Sequence, residues 1–248
     1  SEEMEWQYQF TGLDQFDDEG VEYDYTIDEE EVEGYTKETD QHDLTNTRSG
    51  KTDVTVTKTW LDDDSENRPE SIKVYLKQND QIVQEATITA SDQWSHTFSD
   101  LDQYDNEGVE YTYSIQEEPI SGYETTINGF DITNLRVGTT SVAGEKIWLD
   151  GNSDERPESI SISLLQNGEV IDEQEVSEES NWTYRFDELP EFDENGVAYD
   201  YTVEEEPVDG YESTVDGYDI TNLRVGQTSV AGEKTWVDDD SEDRPEQI

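Results

Sequence analysis

Lys51-Thr52-Asp53-Val54-Thr55-Val56-Thr57-Lys58-Thr59-Trp60 alternates with the period of a pleated strand. Val54, Val56, Lys58 and Trp60 share one face, and Asp53, Thr55, Thr57 and Thr59 share the other. The pattern predicts a half-buried strand that carries a lysine into its apolar face. A polar loop, Leu61 to Pro69, separates it from a second alternating run, Ile72, Val74 and Leu76, which stops at Gln78-Asn79-Asp80 and is followed from Ile82 by a hairpin partner. Further short extended runs follow at Trp94 to Leu101, Tyr111 to Glu117, Tyr123 to Ile127 and Phe130 to Leu135, divided by Asp-Asn-Glu-Gly, Pro-Ile-Ser-Gly and Asn-Gly turns. Seven such strands with no helical periodicity predict an all-β sandwich.

The whole pattern recurs. Trp6, Trp94 and Trp182 lie 88 residues apart, as do Trp60, Trp148 and Trp236, so the chain is a tandem array of one small domain. The phase gives the closing part of a repeat at 1–48, complete repeats at 49–136 and 137–224, and the opening part of another at 225–248. Ser1 matches Thr89, and Ile248 matches Ile72 and Ile160; the two end parts together lack counterparts of Lys73 through Ile88, so neighbouring copies would not complete one another's domain. The expectation is a window on a longer array with a connected domain beyond each end. The junction Leu135-Arg136-Val137-Gly138-Thr139 has no flexible tract, which predicts a stiff rod of beads.

Against 66 acidic residues stand 14 basic ones, a formal charge of -52, and mean hydropathy is -1.00. That balance excludes phosphate backbones and anionic membranes as partners. Low hydrophobicity with high charge is the mark of disorder, but six Trp, 14 Tyr and six Phe at periodic positions supply apolar surface for compact units. Carboxylate self-repulsion is screened where the Debye length falls to about 3 Å, at molar salt, so a salt-rich exterior and a halophilic source are expected. The absence of cysteine rules out disulfides as the staple of these beads. No apolar run approaches a membrane span, and Ser1-Glu2-Glu3-Met4 does not open a signal peptide.

Lysine is scarce, seven in the chain, yet Lys58, Lys146 and Lys234 occupy one phase of the repeat on the inward face of its first strand. Asn46, Asn134 and Asn222 occupy another, two residues after an inward Leu or Ile of the last strand. Glu29, Glu117 and Glu205 close the alternations Tyr25-Ile27-Glu29, Tyr113-Ile115-Glu117 and Tyr201-Val203-Glu205. Brought together in a core, these groups are set up for amide formation. Desolvation favours the neutral lysine amine, and a carboxyl group that keeps its proton polarises the asparagine carboxamide, giving a Lys-Asn isopeptide bond and ammonia. A buried Lys-Glu ion pair with asparagine as a spare hydrogen-bonding group satisfies the same polarity rules without reaction, and pattern alone leaves both readings open.

Lys58-x-Trp60, then Asp62 with Arg68, Pro69 and Ile72, then Trp94 with Phe98 and Leu101, Tyr113-Ser-Ile-Gln-Glu-Glu-Pro119 and Ile132-Thr-Asn134 resemble the B-type repeat of collagen adhesins, the CnaB family, over both complete repeats and both end parts. The resemblance implies tandem prealbumin-like, reverse-immunoglobulin β-sandwiches, serving as stalks of surface adhesins or as pilin domains. By position it implies that Lys58 joins Asn134 with Glu117 as catalyst, and that Lys146 joins Asn222 with Glu205. Glu29 with Asn46, and Lys234, lack partners within the window. Two points depart from the family pattern. Glu117 is followed by Glu118-Pro119-Ile120-Ser121-Gly122, so choosing Glu117 over Glu118 rests on strand alternation; and the alternative catalyst Asp100 matches Glu188 and then Gly12, which argues against it.

Asp62-Asp63-Asp64-Ser65-Glu66 and Asp150 to Glu155 resemble part of a calcium loop but have no glycine at its sharp turn and no terminal bidentate glutamate at the right distance, so no metal or other cofactor is assigned. Arg68, Arg156 and Arg244 neutralise those loops; His42 and His96 stand at aromatic positions; Asn181-Trp182-Thr183 fits a glycosylation pattern in one repeat alone. No constellation for turnover catalysis is present. The expected function is a structural stalk or filament segment of an extracellular surface protein, with adjacent repeats and like chains in a fibre as partners, and no nucleic acid or membrane contact. The alternative is an adhesive module holding a host or mineral ligand, with calcium, through its acidic loops.

Overall fold

The computed structural model describes residues 2–237, 239 and 242–247, so the matches drawn for Ser1 and Ile248 lie outside the described residues. The chain divides into two units, Ser1–Arg136 and Val137–Ile248.

In the first unit, the hairpin β1 (Tyr35–Asp40) and β2 (Asp43–Arg48) precedes a two-sheet sandwich. β3 (Lys51–Leu61) leads, then β4 (Ser71–Gln78), β5 (Gln81–Thr89), β6 (Ser95–Asp102), β7 (Tyr113–Glu117), β8 (Tyr123–Asn128) and β9 (Asp131–Arg136). One sheet has the order β6-β3-β9-β8 and the other β5-β4-β7. All neighbours are antiparallel except β3 and β9, the first and last strands of the repeat, which run parallel with Lys58 opposite Ile132 and Trp60 opposite Asn134. The alternation read from Val54 holds: Val54, Val56 and Lys58 are buried and the residues between them face out or are partly covered. Val54 and Val56 meet Ile72, Val74, Leu76, Ile88, Phe98, Leu101, Ile115 and Ile132 in one core drawn from both sheets. Each fully buried aliphatic there contributes about 1.5–3 kcal/mol.

The second unit repeats the plan with β10 (Thr139–Leu149), β11 (Ser159–Gln166), β12 (Glu169–Ser177), β13 (Thr183–Pro190), β14 (Tyr201–Glu205), β15 (Tyr211–Asp216) and β16 (Asp219–Arg224). Its sheets are β13-β10-β16-β15 and β12-β11-β14, again with first and last strands parallel, Lys146 opposite Ile220 and Trp148 opposite Asn222. Both units are all-β sandwiches, and their helical content among the described residues is confined to the short 3-10 turns Glu2–Met4 and Ala90–Asp92.

Residues 7–14 and 25–29 are the counterparts of β6 and β7 yet form no strand, and Trp6 is 75% exposed. The reason is pairing. In the complete repeats these strands bond to β3 and β4, and residues 1–34 contain no counterpart of either. The same holds for 225–237, which carry the pattern of β3 without a sheet to join. At the seam between the β1-β2 hairpin and the first sandwich, the Arg48 guanidinium lies 4.3 Å from the centre of the Tyr104 ring. Gly108, at φ +77°, closes the adjoining turn, where a Cβ would stand 3.3 Å from the Arg48 side chain.

Candidate functional site

The pleat delivers the three predicted groups of each complete repeat to one place. In the first, Lys58 reaches inward from β3, Asn134 from the next strand β9 at the diagonal position, and Glu117 from the end of β7 in the facing sheet. The Lys58 and Glu117 side chains are 0% and 1% exposed, with Nζ 3.3 Å from Oε1. Asn134 is fully buried. Alternation also separates Glu117 from Glu118, which is exposed beyond the strand. In the second repeat, Lys146 Nζ lies 3.2 Å from Glu205 Oε1 and 3.3 Å from Oε2, and Asn222 Nδ2 donates to Glu205 Oε1 at 3.1 Å.

The electrostatics differ from those of a surface ion pair. Burial pushes the Lys58 ammonium down to about 8, against the opposing pull of Glu117, and lowers Lys146 for the same reason. The hydrogen bonding is incomplete as well. Neither Nδ2 nor Oδ1 of Asn134 has a hydrogen-bond partner, nor does Asn222 Oδ1, and Lys58 Nζ and Glu117 Oε1 are close without being aligned as a hydrogen bond. Buried polar groups are nearly always satisfied, and each one that is not costs about 1–3 kcal/mol.

An aromatic wall closes the lysine end of the site. Trp60 lies two residues beyond Lys58 on the same face, with Nζ 4.3 Å from its ring, and its edge contacts run to Trp94 and Tyr123 at 5.2 and 5.0 Å between centroids. Trp148, Trp182 and Tyr211 repeat the arrangement around Lys146 at 5.3 and 5.0 Å. Behind the wall sits the first acidic residue of the polar loop. Asp62 is 1% exposed and is held by both nitrogens of an Arg68 fork and by the Tyr123 hydroxyl at 2.9 Å. Asp150, Arg156 and Tyr211 form the same cluster. The arginine beside each aspartate holds its carboxyl below the usual carboxylate range. The signal was present in the repeat: Asp62 is again Asp at 150, whereas Asp63 and Asp64 become Gly151 and Asn152. With their lead carboxylates committed to arginine, these loops offer a cation little, and among the described residues no group of three or more His, Cys, Asp or Glu is arranged to hold a metal.

Glu29 and Asn46 are also brought together, Nδ2 to Oε2 at 2.6 Å, but in the open. Lys234 is exposed, stacked on Trp236 at 4.6 Å, and stands in the other unit. Asp100 points away from the site, its side chain 83% exposed. The backbone explains its place in the repeat: φ is +62° at Asp100, +56° at Glu188 and +77° at Gly12, in the left-handed region glycine favours.

The family described as Cna protein B-type domain matches residues 1–47, 54–135 and 142–223. The collagen adhesin of Staphylococcus aureus is 37% identical over 262 aligned residues, covering 99% of this chain and 22% of that protein, so the chain spans about a fifth of its length. A crystal structure of two B repeat units of the collagen binding protein of the same organism is 35% identical, covering 91% of this chain and 63% of that one, with a TM-score of 0.46. A single B repeat unit of that collagen binding surface protein is 33% identical, covering 71% of this chain and all of its own, with a TM-score of 0.35.

Proposed function

The chain belongs to the family of Cna protein B-type domains, structural repeat modules and not enzymes, and from that premise we propose that it is a covalently stapled stalk segment of an extracellular surface protein. In this reading Lys58 is joined to Asn134 with Glu117 as catalyst, and Lys146 to Asn222 with Glu205. The neutral amine attacks the carboxamide carbon, the carboxyl group passes a proton from the lysine nitrogen to the departing one, and ammonia leaves. Glu29 with Asn46, and Lys234, are the corresponding members of the incomplete repeats. The array works on its neighbouring repeats and on like chains in a fibre, at a salt-rich cell surface.

The observation that carries the reading is the unpartnered asparagine carbonyl. In both repeats Oδ1 of the buried asparagine has no hydrogen-bond partner, although Asn222 Nδ2 donates to Glu205, so the asparagine is not the satisfied companion that a static Lys-Glu pair requires. Groups built to react are under no such requirement. Reaction also removes the charge of the buried lysine, which a static pair retains.

Intact-mass measurement tests this. The purified chain should weigh about 17 Da less than its sequence mass for each bond, two losses in all. Glu117→Ala and Glu205→Ala should each abolish one loss while the far-ultraviolet spectrum stays that of a β protein. A chain at its full sequence mass would reduce the trio to a polar cluster.

A further inference from the structure

We propose that one position of the next-to-last strand, Thr125 in the first complete repeat and Ser213 in the second, is a positioning residue that sets how fast each internal amide forms, by turning the carboxyl group of the glutamate toward or away from the asparagine. The inference rests on the linked reading above. Thr125 is directly across from Asn134 in the β8-β9 pair, Ser213 from Asn222 in β15-β16, and Lys37 from Asn46 in β1-β2. The three versions of the position meet the glutamate differently. Thr125 Oγ1 donates to Glu117 Oε2 at 2.7 Å, and the Asn134 amide is left with no partner. Where Ser213 stands, the Glu205 carboxyl turns to Lys146 and to Asn222 Nδ2 at 3.1 Å. Where Lys37 stands, its ammonium takes the Glu29 backbone oxygen at 2.7 Å, and Glu29 Oε2 meets Asn46 Nδ2 at 2.6 Å. Asparagine loses its carboxyl contact only where threonine is opposite.

The chemistry makes that contact matter. As the Lys58 Nζ to Asn134 Cγ bond forms and the Cγ to Nδ2 bond breaks, one proton must leave Nζ and one must reach Nδ2, which departs as ammonia; no oxidant or other reactant is needed. A carboxyl group that spans the two nitrogens carries this proton directly, as Glu205 is placed to do. Glu117 must first break its bond from Thr125. The β-branched threonine has a restricted χ1, whereas serine rotates freely out of such a bond.

Cell-free synthesis of the full chain, quenched in denaturant at intervals and digested, gives the two cross-linked peptides separately by mass spectrometry, so that each repeat is a control for the other. The second repeat should link faster than the first. Releasing one ordinary hydrogen bond corresponds to about tenfold in rate, so Thr125→Val and Thr125→Ser should each raise the rate in the first repeat by about that factor and leave the second unchanged. Ser213→Thr should slow the second. A residue needed only for packing would give slowing or no change, not acceleration. Linkage at unaltered or reduced rate in both Thr125 variants overturns this inference while the amide reading stands; no ammonia loss in either repeat overturns both.

Discussion

Gly144 stands where the preceding repeat has Val56, and the exchange is matched by its neighbours: His96 and Phe130 become Tyr184 and Tyr218. The Tyr184 hydroxyl donates to the Tyr218 carbonyl through the space the valine side chain would fill, and a Cβ on Gly144 would strike that carbonyl and stand 2.7 Å from the Tyr184 oxygen. Burial pushes the Tyr184 phenol up to about 12. Gly144→Val should therefore cost about 1–3 kcal/mol by overpacking, read as a lowered urea midpoint in the Glu205→Ala background where no link hides it. Adding Tyr184→His and Tyr218→Phe, which together restore the combination of the first repeat, should recover much of the loss. The lysines give a second test at this scale. Lys58 titrates at about 8 in the folded chain, below its ordinary 10.5. Between those values the unfolded chain binds more protons than the folded one, so stability rises with pH. In an Asn134→Ala, Asn222→Ala chain, which cannot link, the urea midpoint should climb from about pH 8 to 10.5, and further replacement of Lys58 and Lys146 by Met should flatten the climb.

The parallel pairing of β3 with β9 gives the proposed link its mechanical meaning. Tension along the chain enters at the start of the first strand and leaves at the end of the last, so it shears the one parallel ladder of the repeat. A bond from Lys58 to Asn134 spans those two strands and takes the load from the hydrogen bonds between them. It also closes a segment of about 76 residues, worth about 4 kcal/mol on the chain-entropy estimate for crosslinks. In single-molecule pulling the wild-type repeats should therefore not extend fully below covalent rupture, whereas Glu117→Ala and Glu205→Ala repeats should unfold at ordinary protein forces; full extension of both would remove the mechanical role. The left-handed backbone at Asp100 allows a complementary test. Asp100→Gly relieves a left-handed residue that costs about 1–2 kcal/mol, so it should preserve or raise stability and leave the loss of ammonia intact, which a catalyst could not do. Which of these features the sequence reveals depends on range. Alternation is local, so the inward side of β3 and the choice of Glu117 over Glu118 follow from neighbouring residues. The parallel partner of β3 lies more than seventy residues away, and nothing in either strand's own pattern names the other. The burial of Asp62 is long-range in the same way: its recurrence as Asp150 marks it, but Tyr123, which caps it, lies 61 residues on. The unpaired counterparts of β6 and β7 at 7–29 show the converse, strand patterns with no sheet to join.

The charge belongs to the whole molecule, since the buried sites use little of it. Lys58, Lys146, Arg68 and Arg156 are each committed to a buried carboxylate. Those cations are taken from a total of 14, against 66 acidic residues. Pairs such as Lys51 with Asp102 at 2.8 Å and Lys73 with Glu85 at 3.0 Å are solvent-screened and add little. The bulk of the -52 is therefore mutual repulsion among surface carboxylates, unrelieved by the fold. Such repulsion decays over the Debye length, about 30 Å at 0.01 M and 3 Å at 1 M salt. At low salt each carboxylate feels the whole of its own domain; at molar salt it feels little beyond its immediate neighbours. Melting temperature should accordingly rise steadily from millimolar to molar NaCl. The rise should be clearest in the Glu117→Ala, Glu205→Ala chain, because the proposed link would hold the first and last strands together whatever the charge. Replacing the salt by an uncharged solute of equal osmolality separates screening from general exclusion of cosolute, since only ions shorten the Debye length. Equal stabilisation by both, or a melting temperature indifferent to NaCl, would mean that the acidic surface is no adaptation to brine, and the salt-rich setting proposed for the stalk would fall with it.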